Sequence, residues 1–200
     1  MSHGAYFNFL NQYIRNAREI GAIGPDSPAC VDRLLKSIPF GSARLIVEFG
    51  AASGAVTREI LRRKRPWTQL ICFEKNAFFY DALRKTLSGR NVFIVPDDVF
   101  DAVSVLSSRF GLPERSADCI ISTLPCSSME FADLLVKTIL PLLKDKGVFV
   151  QYMHTVSVLK GFRLRPILDR YFDRIESDVV IRSIPPALIY TCRMGHGAAN

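Results

Sequence analysis

The sequence predicts an α/β fold built on a doubly wound, largely parallel sheet, and three observations carry that expectation. From residue 44 onward, short apolar runs alternate with amphipathic stretches of helical period, the βα alternation of a parallel sheet. The first five runs are rich in Ile, Val, Phe or Cys and apolar almost throughout, as strands covered on both faces are. The last two runs are separated by Ile184-Pro185-Pro186, too short for a helix, so they close the sheet as an antiparallel hairpin at one edge.

Two helical segments come first. Residues 6–20, YFNFLNQYIRNAREI, repeat apolar residues at positions 7, 10, 14 and 17, flanked by Tyr6, Phe9 and Tyr13. That is an amphipathic helix with a broad aromatic face. A Gly- and Pro-containing loop follows, and Asp26 or Ser27 is placed to cap a second helix over 28–38. The strands are expected at 44–49, 69–74, 91–95, 117–123, 147–153, 175–183 and 187–193. The helices between them are expected at about 54–64, 76–88, 98–109 and 129–143. The whole reads as one domain over 1–200, with 1–40 as a helical lid or membrane segment and 41–200 as the core.

Composition limits the alternatives. At 200 residues, 22.4 kDa and 48% hydrophobic residues, the chain is long enough for one sizeable core and is not a disordered sequence. It has no apolar run near the roughly 18 residues that span a bilayer, and no signal-peptide pattern at its start. Cys30, Cys72, Cys119, Cys126 and Cys192 are scattered without a C-x-x-C pair, so no metal site is expected. Cys72 and Cys119 lie in apolar runs, as buried thiols of a reducing cytoplasm do. The net charge of +7 points to an anionic partner, nucleic acid or lipid.

The chemistry starts at residues 44–54, RLIVEFGAASG. A strand feeding a glycine-rich turn and then a helix makes an adenosine-cofactor site, because the glycines let the backbone approach the ligand. The loop Gly50-Ala51-Ala52-Ser53-Gly54 keeps the outer two glycines of G-x-G-x-G and carries Ala52 between them. Glu74 ends the second strand twenty residues after Gly54, where a carboxylate takes both hydroxyls of a ribose. Asp97 and Asp98 follow the third strand, at the same carboxyl ends. Glu48 would repel a pyrophosphate and attract a cation, and S-adenosylmethionine carries an ammonium, a sulfonium and no phosphate.

The run E-F-G-A-A-S-G, with Glu74 and Asp98, resembles motifs I, II and III of the class I S-adenosylmethionine-dependent methyltransferases. The resemblance implies a Rossmann-like seven-stranded sheet. It also implies that Glu48 organises the loop and the methionine ammonium, Glu74 holds the ribose and Asp98 meets the adenine amine. The loop after the fourth strand, Ser122-Thr123-Leu124-Pro125-Cys126, is similar to the acceptor loop of amino-group methyltransferases. Ser122 and Leu124 are expected on its cofactor side and Thr123 and Pro125 on its substrate side. Cys126 replaces the usual aromatic, which counts against a flat nucleobase as acceptor.

Across residues 7–193 the order of short motifs resembles the bacterial phospholipid N-methyltransferases, relatives of the ribosomal-RNA adenine dimethylases. These motifs are G-A-I-x-P-x-S at 21–27, V-E-F-G at 47–50, Leu124-Pro125, G-V-F-V-Q-Y at 147–152 and I-P-P-A at 184–187. The resemblance implies methylation of the amine of phosphatidylethanolamine-type phospholipid, with the N-terminal helix on the membrane covering the cofactor and Tyr13, Ile23 and Ser27 lining that lid. An anionic bilayer is then the partner, with no DNA, and the protein is placed in the cytoplasm, peripheral to the inner face of the membrane. Arg15, Arg18, the cluster Arg58, Arg62, Arg63, Lys64, Arg65 and the cluster Lys160, Arg163, Arg165, Arg170, Arg174 suit anionic headgroups or a solvated face. Tyr152 and His154, ending the fifth strand, are expected to face the crevice, His154 as proton acceptor and Tyr152 offering its ring to a methylated ammonium. The alternatives are an RNA (adenine N6) or protein methyltransferase, or a decayed cofactor fold that only binds.

Overall fold

A computed structural model describes residues 27–87, 89–126, 128–154, 164–181 and 186–194, with only the backbone of His154. The helix expected at 6–20 and the Ile184-Pro185 turn lie outside the described residues. Ser27 is the N-cap of α1 (Pro28–Leu35), its side chain accepting from the Cys30 N–H at 3.2 Å. That helix stops earlier than the expected 38, because Ile38 precedes Pro39 and is steered away from helical backbone.

Chain order then runs β1 (Leu45–Phe49), α2 (Ala55–Arg63), β2 (Gln69–Phe73), α3 (Ala77–Thr86) and β3 (Val92–Val95). A short 3₁₀ turn (Val99–Asp101) leads into α4 (Ala102–Phe110), followed by β4 (Ala117–Ser122), α5 (Met129–Ile139) and β5 (Leu143–His154). The last elements are α6 (Arg165–Leu168), β6 (Arg174–Val180) and β7 (Ala187–Arg193). The seven strands form one sheet in the order β3-β2-β1-β4-β5-β7-β6. The first five are parallel, and β7 runs antiparallel to both β5 and β6.

Alternation along each strand sorts its side chains into two layers. Val47, Phe49, Ile71, Phe73, Ile120 and Phe149 face one apolar cluster, roofed by α4, α5 and α6. Ile46, Leu70, Cys72, Ile121, Val150 and Tyr152 face the other, roofed by α1, α2 and α3. Right-handed crossovers put helices on both faces, so the strands read as apolar runs with no polar side.

Three further boundaries differ from expectation. The helix expected over 129–143 ends at Ile139, because Pro141 cannot continue it. Strand five then starts at Leu143 rather than 147; its register with β4 jumps from Ala117↔Leu143 to Cys119↔Val148, so Lys144-Asp145-Lys146 bulges out of the pairing. The Lys144 ammonium turns back to Asp118 (2.6 Å), whose other oxygen accepts from the Arg44 and Leu45 N–H groups. β6 ends at Val180, short of the expected 183. The five cysteines are buried thiols, none in a disulfide.

Candidate active site

Strand order reverses between β1 and β4, and the loops after these two strands meet there, at the carboxyl end of the sheet. Ligands bind at such switch points in open α/β sheets. The first loop has positive φ at alternate residues: Gly50 +82°, Ala52 +45° and Gly54 +81°. Glycine is required at two of the three. A Cβ on Gly50 would lie 2.8 Å from Leu124 Cδ2, and one on Gly54 2.6 Å from Leu83 Cδ2. Ala52 takes the left-handed region with a side chain, at a cost of roughly 1–2 kcal/mol.

Glu74 holds Ala52 in that conformation. One carboxylate oxygen accepts from the Ala52 N–H and the other from the Asn76 N–H, both at 2.8 Å. Burial raises the Glu74 pKa, and these two donors oppose the rise. Each oxygen keeps a lone pair beyond its backbone partner, which a ribose hydroxyl can use. Asn76 meanwhile caps α3 through Oδ1, so the turn after β2 is fixed from both sides.

Glu48 lies directly beneath the loop. It is 0% exposed and points into the layer under α2. One oxygen accepts from the Cys72 thiol at 3.3 Å; the other, Oε1, is buried without a partner, as is the nearby Thr57 hydroxyl. Burial pushes the Glu48 carboxyl up to about 7, helped by the neighbouring Glu74 charge and opposed by Thr57, Cys72 and Arg58. Such a group ionises readily when a cation settles above it.

The second loop is tied to the first. The Thr123 hydroxyl donates to the Gly50 carbonyl at 2.6 Å, and the Thr123 N–H to the Phe49 carbonyl. Leu124 packs on Gly50, its N–H donates to Ser122 Oγ at 3.4 Å, and its carbonyl accepts from Gln151 Nε2 at 3.0 Å. Pro125 is half-buried in the same turn. Cys126, at 1% exposure, belongs to the core, with its thiol pushed up to about 12 by burial.

The remaining expected residues divide. Asp98 caps the 3₁₀ turn through the Phe100 N–H and pairs with Lys75, the residue after Glu74, at 2.6 Å. Asp97 is held by a two-pronged contact to Arg109 (2.6 and 2.8 Å) on α4. Tyr152, expected to open on the crevice, is 2% exposed among the core residues under α1 and α2, because strand alternation turns it away from the Ser122–Gln151 side. His154 ends β5 opposite Ala187, three residues beyond Gln151. Tyr13 and Ile23 lie outside the described residues. Thr57 and Asn76 were not singled out in the sequence; Cys72 was read only as a buried thiol and Gln151 only as part of the 147–152 motif. Gln151 and Thr57 left a signal, a neutral polar residue on an inward-facing position. In the 58–65 cluster, Arg62 and Arg63 pair with Glu59, Arg63 also with Asp32, and Lys64 donates to the carbonyls of Thr68 and Arg90. Most of that cluster's donors serve the protein itself.

The chain matches no family model. It is 30% identical over 191 residues to the ornithine lipid N-methyltransferase of Singulisphaera acidiphila, covering 94% of this chain and 95% of the relative. Among solved structures it resembles an S-adenosylmethionine-dependent O-methyltransferase of Thermotoga maritima (TM-score 0.65, 17% identity, 94% of this chain and 72% of that one). It also resembles human methyltransferase-like protein 13 in complex with SAH (TM-score 0.64, 11% identity, 85% and 82%).

The residues present fit such a donor. The orphaned Glu48 Oε1 beneath the loop favours a cationic ligand over a phosphate. Glu74 has acceptor capacity to spare, and the first turn of α2 has neither a side-chain cap nor an acidic residue. Glu74 and Asp98 would hold the adenosine end and the Gly50–Gly54 loop the amino-acid end. The chain belongs to the S-adenosylmethionine-dependent methyltransferases of class I fold, in the family of the Singulisphaera N-methyltransferase, and is an N-methyltransferase enzyme with S-adenosylmethionine as its methyl donor.

Proposed function

We propose that the enzyme methylates the primary amine of a membrane aminolipid, of the ornithine-lipid or phosphatidylethanolamine type. The observation that carries this is the near full-length relationship to an enzyme that acts on an ornithine lipid. The acceptor loop supports it. Cys126 is sunk in the core, so the loop ends without a ring for a nucleobase to stack on, and an alkyl amine needs none.

The bound donor supplies a methyl group already activated on a sulfonium. The chain's own task is to hold the amine in line and take its proton. An alkyl ammonium titrates near about 10, so a base or a desolvating pocket is required. His154 is the proposed base, from its position at the end of β5. Residues 6–20 are proposed to bring the enzyme to an anionic bilayer, with Tyr13, Ile23 and Ser27 near the cofactor. No helix among the described residues is long and apolar enough to cross a membrane, which fits a peripheral attachment.

The test is incubation with radiolabelled S-adenosylmethionine and vesicles containing ornithine lipid, phosphatidylethanolamine or neither, with parallel arms of RNA and of protein. Label is expected in the lipid extract of one or both amine-containing vesicles, and their kcat/KM ratio identifies the headgroup. Label confined to RNA or protein overturns the reading.

A further inference from the structure

We infer that Gln151 is a positioning residue for methyl transfer, holding the acceptor loop at its working height above the sheet through the Leu124 carbonyl. The inference rests on the reading of Ser122–Cys126 as the loop that receives the acceptor.

Gln151 is 0% exposed, in the middle of a strand whose other inward positions are apolar. Its Nε2 donates to two carbonyls, Leu124 at 3.0 Å and Tyr152 at 2.6 Å. Two acceptors on one side fix which end of the amide is nitrogen. Its Oε1 is then left buried without a partner. An unpaired buried carbonyl is unfavourable, and methionine would fill the same space without one. The amide therefore serves something other than packing.

What it serves is Leu124. Ser122 and Gln151 are register partners on β4 and β5 and face the same side of the sheet. Ser122 Oγ takes the Leu124 N–H and Gln151 gives to the Leu124 carbonyl, so neighbouring strands grip both polar groups of one residue. The Leu124 side chain rests on Gly50, and Thr123 donates to the Gly50 carbonyl. The acceptor loop is thereby indexed both to the sheet and to the donor loop. In-line transfer is sensitive to displacements on the order of 1 Å, and loss of the Gln151 donor loosens Leu124 while the Gly50–Gly54 loop keeps its own bonds to Glu74 and Thr123.

The experiment compares Q151M, equal in length but without a donor, with wild type on whichever acceptor the labelling assay identifies. Expected is a roughly ten- to hundredfold fall in kcat, with acceptor KM and donor Kd by calorimetry within about threefold. A second readout needs no acceptor. Amide exchange at Leu124 should quicken by about tenfold, while that at Ala52, bonded to Glu74, stays unchanged. Q151L, similar in volume and without a donor, should repeat both results and stands in if Q151M folds poorly. A kcat loss matched by an equal loss of donor affinity overturns the proposal, as does wild-type kcat with unchanged Leu124 exchange. Failure of the lipid reading would show instead as label in RNA or protein, and the comparison would then be made on that acceptor.

Discussion

Replacing Glu48 with glutamine should stabilise the protein and weaken its hold on the donor. The wild-type carboxyl moves from 4.5 to about 7 on folding because burial disfavours its charge. A folded pKa above the unfolded one means that the folded state binds the proton more tightly. Stability from this group is therefore intact below about pH 4.5, declines as pH rises towards 7 and is fully lost above it. A shift of that size corresponds to up to about 3.5 kcal/mol at roughly 1.4 kcal/mol per unit. Glutamine keeps the shape, accepts from the Cys72 thiol and carries no charge. For a chain of 200 residues the gain is up to roughly 7–14 °C in Tm at pH 8, shrinking to almost nothing near pH 4.5. Wild-type donor affinity should rise with pH through about 7, since the cation favours the ionised carboxylate, while E48Q loses that pH dependence and binds about tenfold more weakly. Thermal melts at pH 5 and 8, with and without S-adenosylmethionine, measure all of this. Equal melting of the two proteins at pH 8, or a gap that does not change with pH, would refute the argument.

Three further outcomes are expected. Glu74→Ala releases the Ala52 and Asn76 N–H groups and removes a ribose acceptor, so donor affinity by calorimetry should fall ten- to a hundredfold, at roughly 1.5–3 kcal/mol. Ala52→Gly relieves a left-handed alanine at +45°, and chemical denaturation should show a net gain of about 0.5–1 kcal/mol after glycine's greater unfolded-state freedom is subtracted. Asp97→Ala breaks only an ion pair to a half-exposed arginine, so donor affinity should stay within about twofold, whereas Asp98→Ala should lower it by at least fivefold; the reverse order would assign the adenine contact to Asp97.

The sheet was legible because a strand covered on both faces has no polar side to confuse its pattern, and Leu45–Phe49, Gln69–Phe73 and Ala117–Ser122 were located to within a residue or so. Strand five was misplaced at its start because Lys144-Asp145-Lys146 bulges from the ladder and reads as loop. Glu48 and Glu74 were found as carboxylates at strand ends. What the sequence did not disclose is that Glu74 spends one oxygen on Ala52, or that Glu48 lies below the loop and not beside it. Both depend on side-chain direction, which spacing alone does not convey. Gln151 was read only as a letter of the 147–152 motif for a related reason: one amide in an apolar strand looks tolerated until its register with Ser122 brings it to Leu124.

The five thiols make the protein its own reporter of opening. Each is shielded, and burial pushes Cys119, Cys126 and Cys192 up to about 12 and Cys72 well above its ordinary value. At these four a thiol-specific reagent is thus refused twice, by lack of access and by lack of thiolate, and at Cys30 by lack of access. Labelling under native conditions then counts excursions of the chain rather than surface chemistry. Cys30 sits on α1, Cys72 in β2, Cys119 in β4, Cys126 in the acceptor loop and Cys192 in β7. The order in which these sites acquire label maps which part of the molecule breathes first, without any probe having to be engineered in.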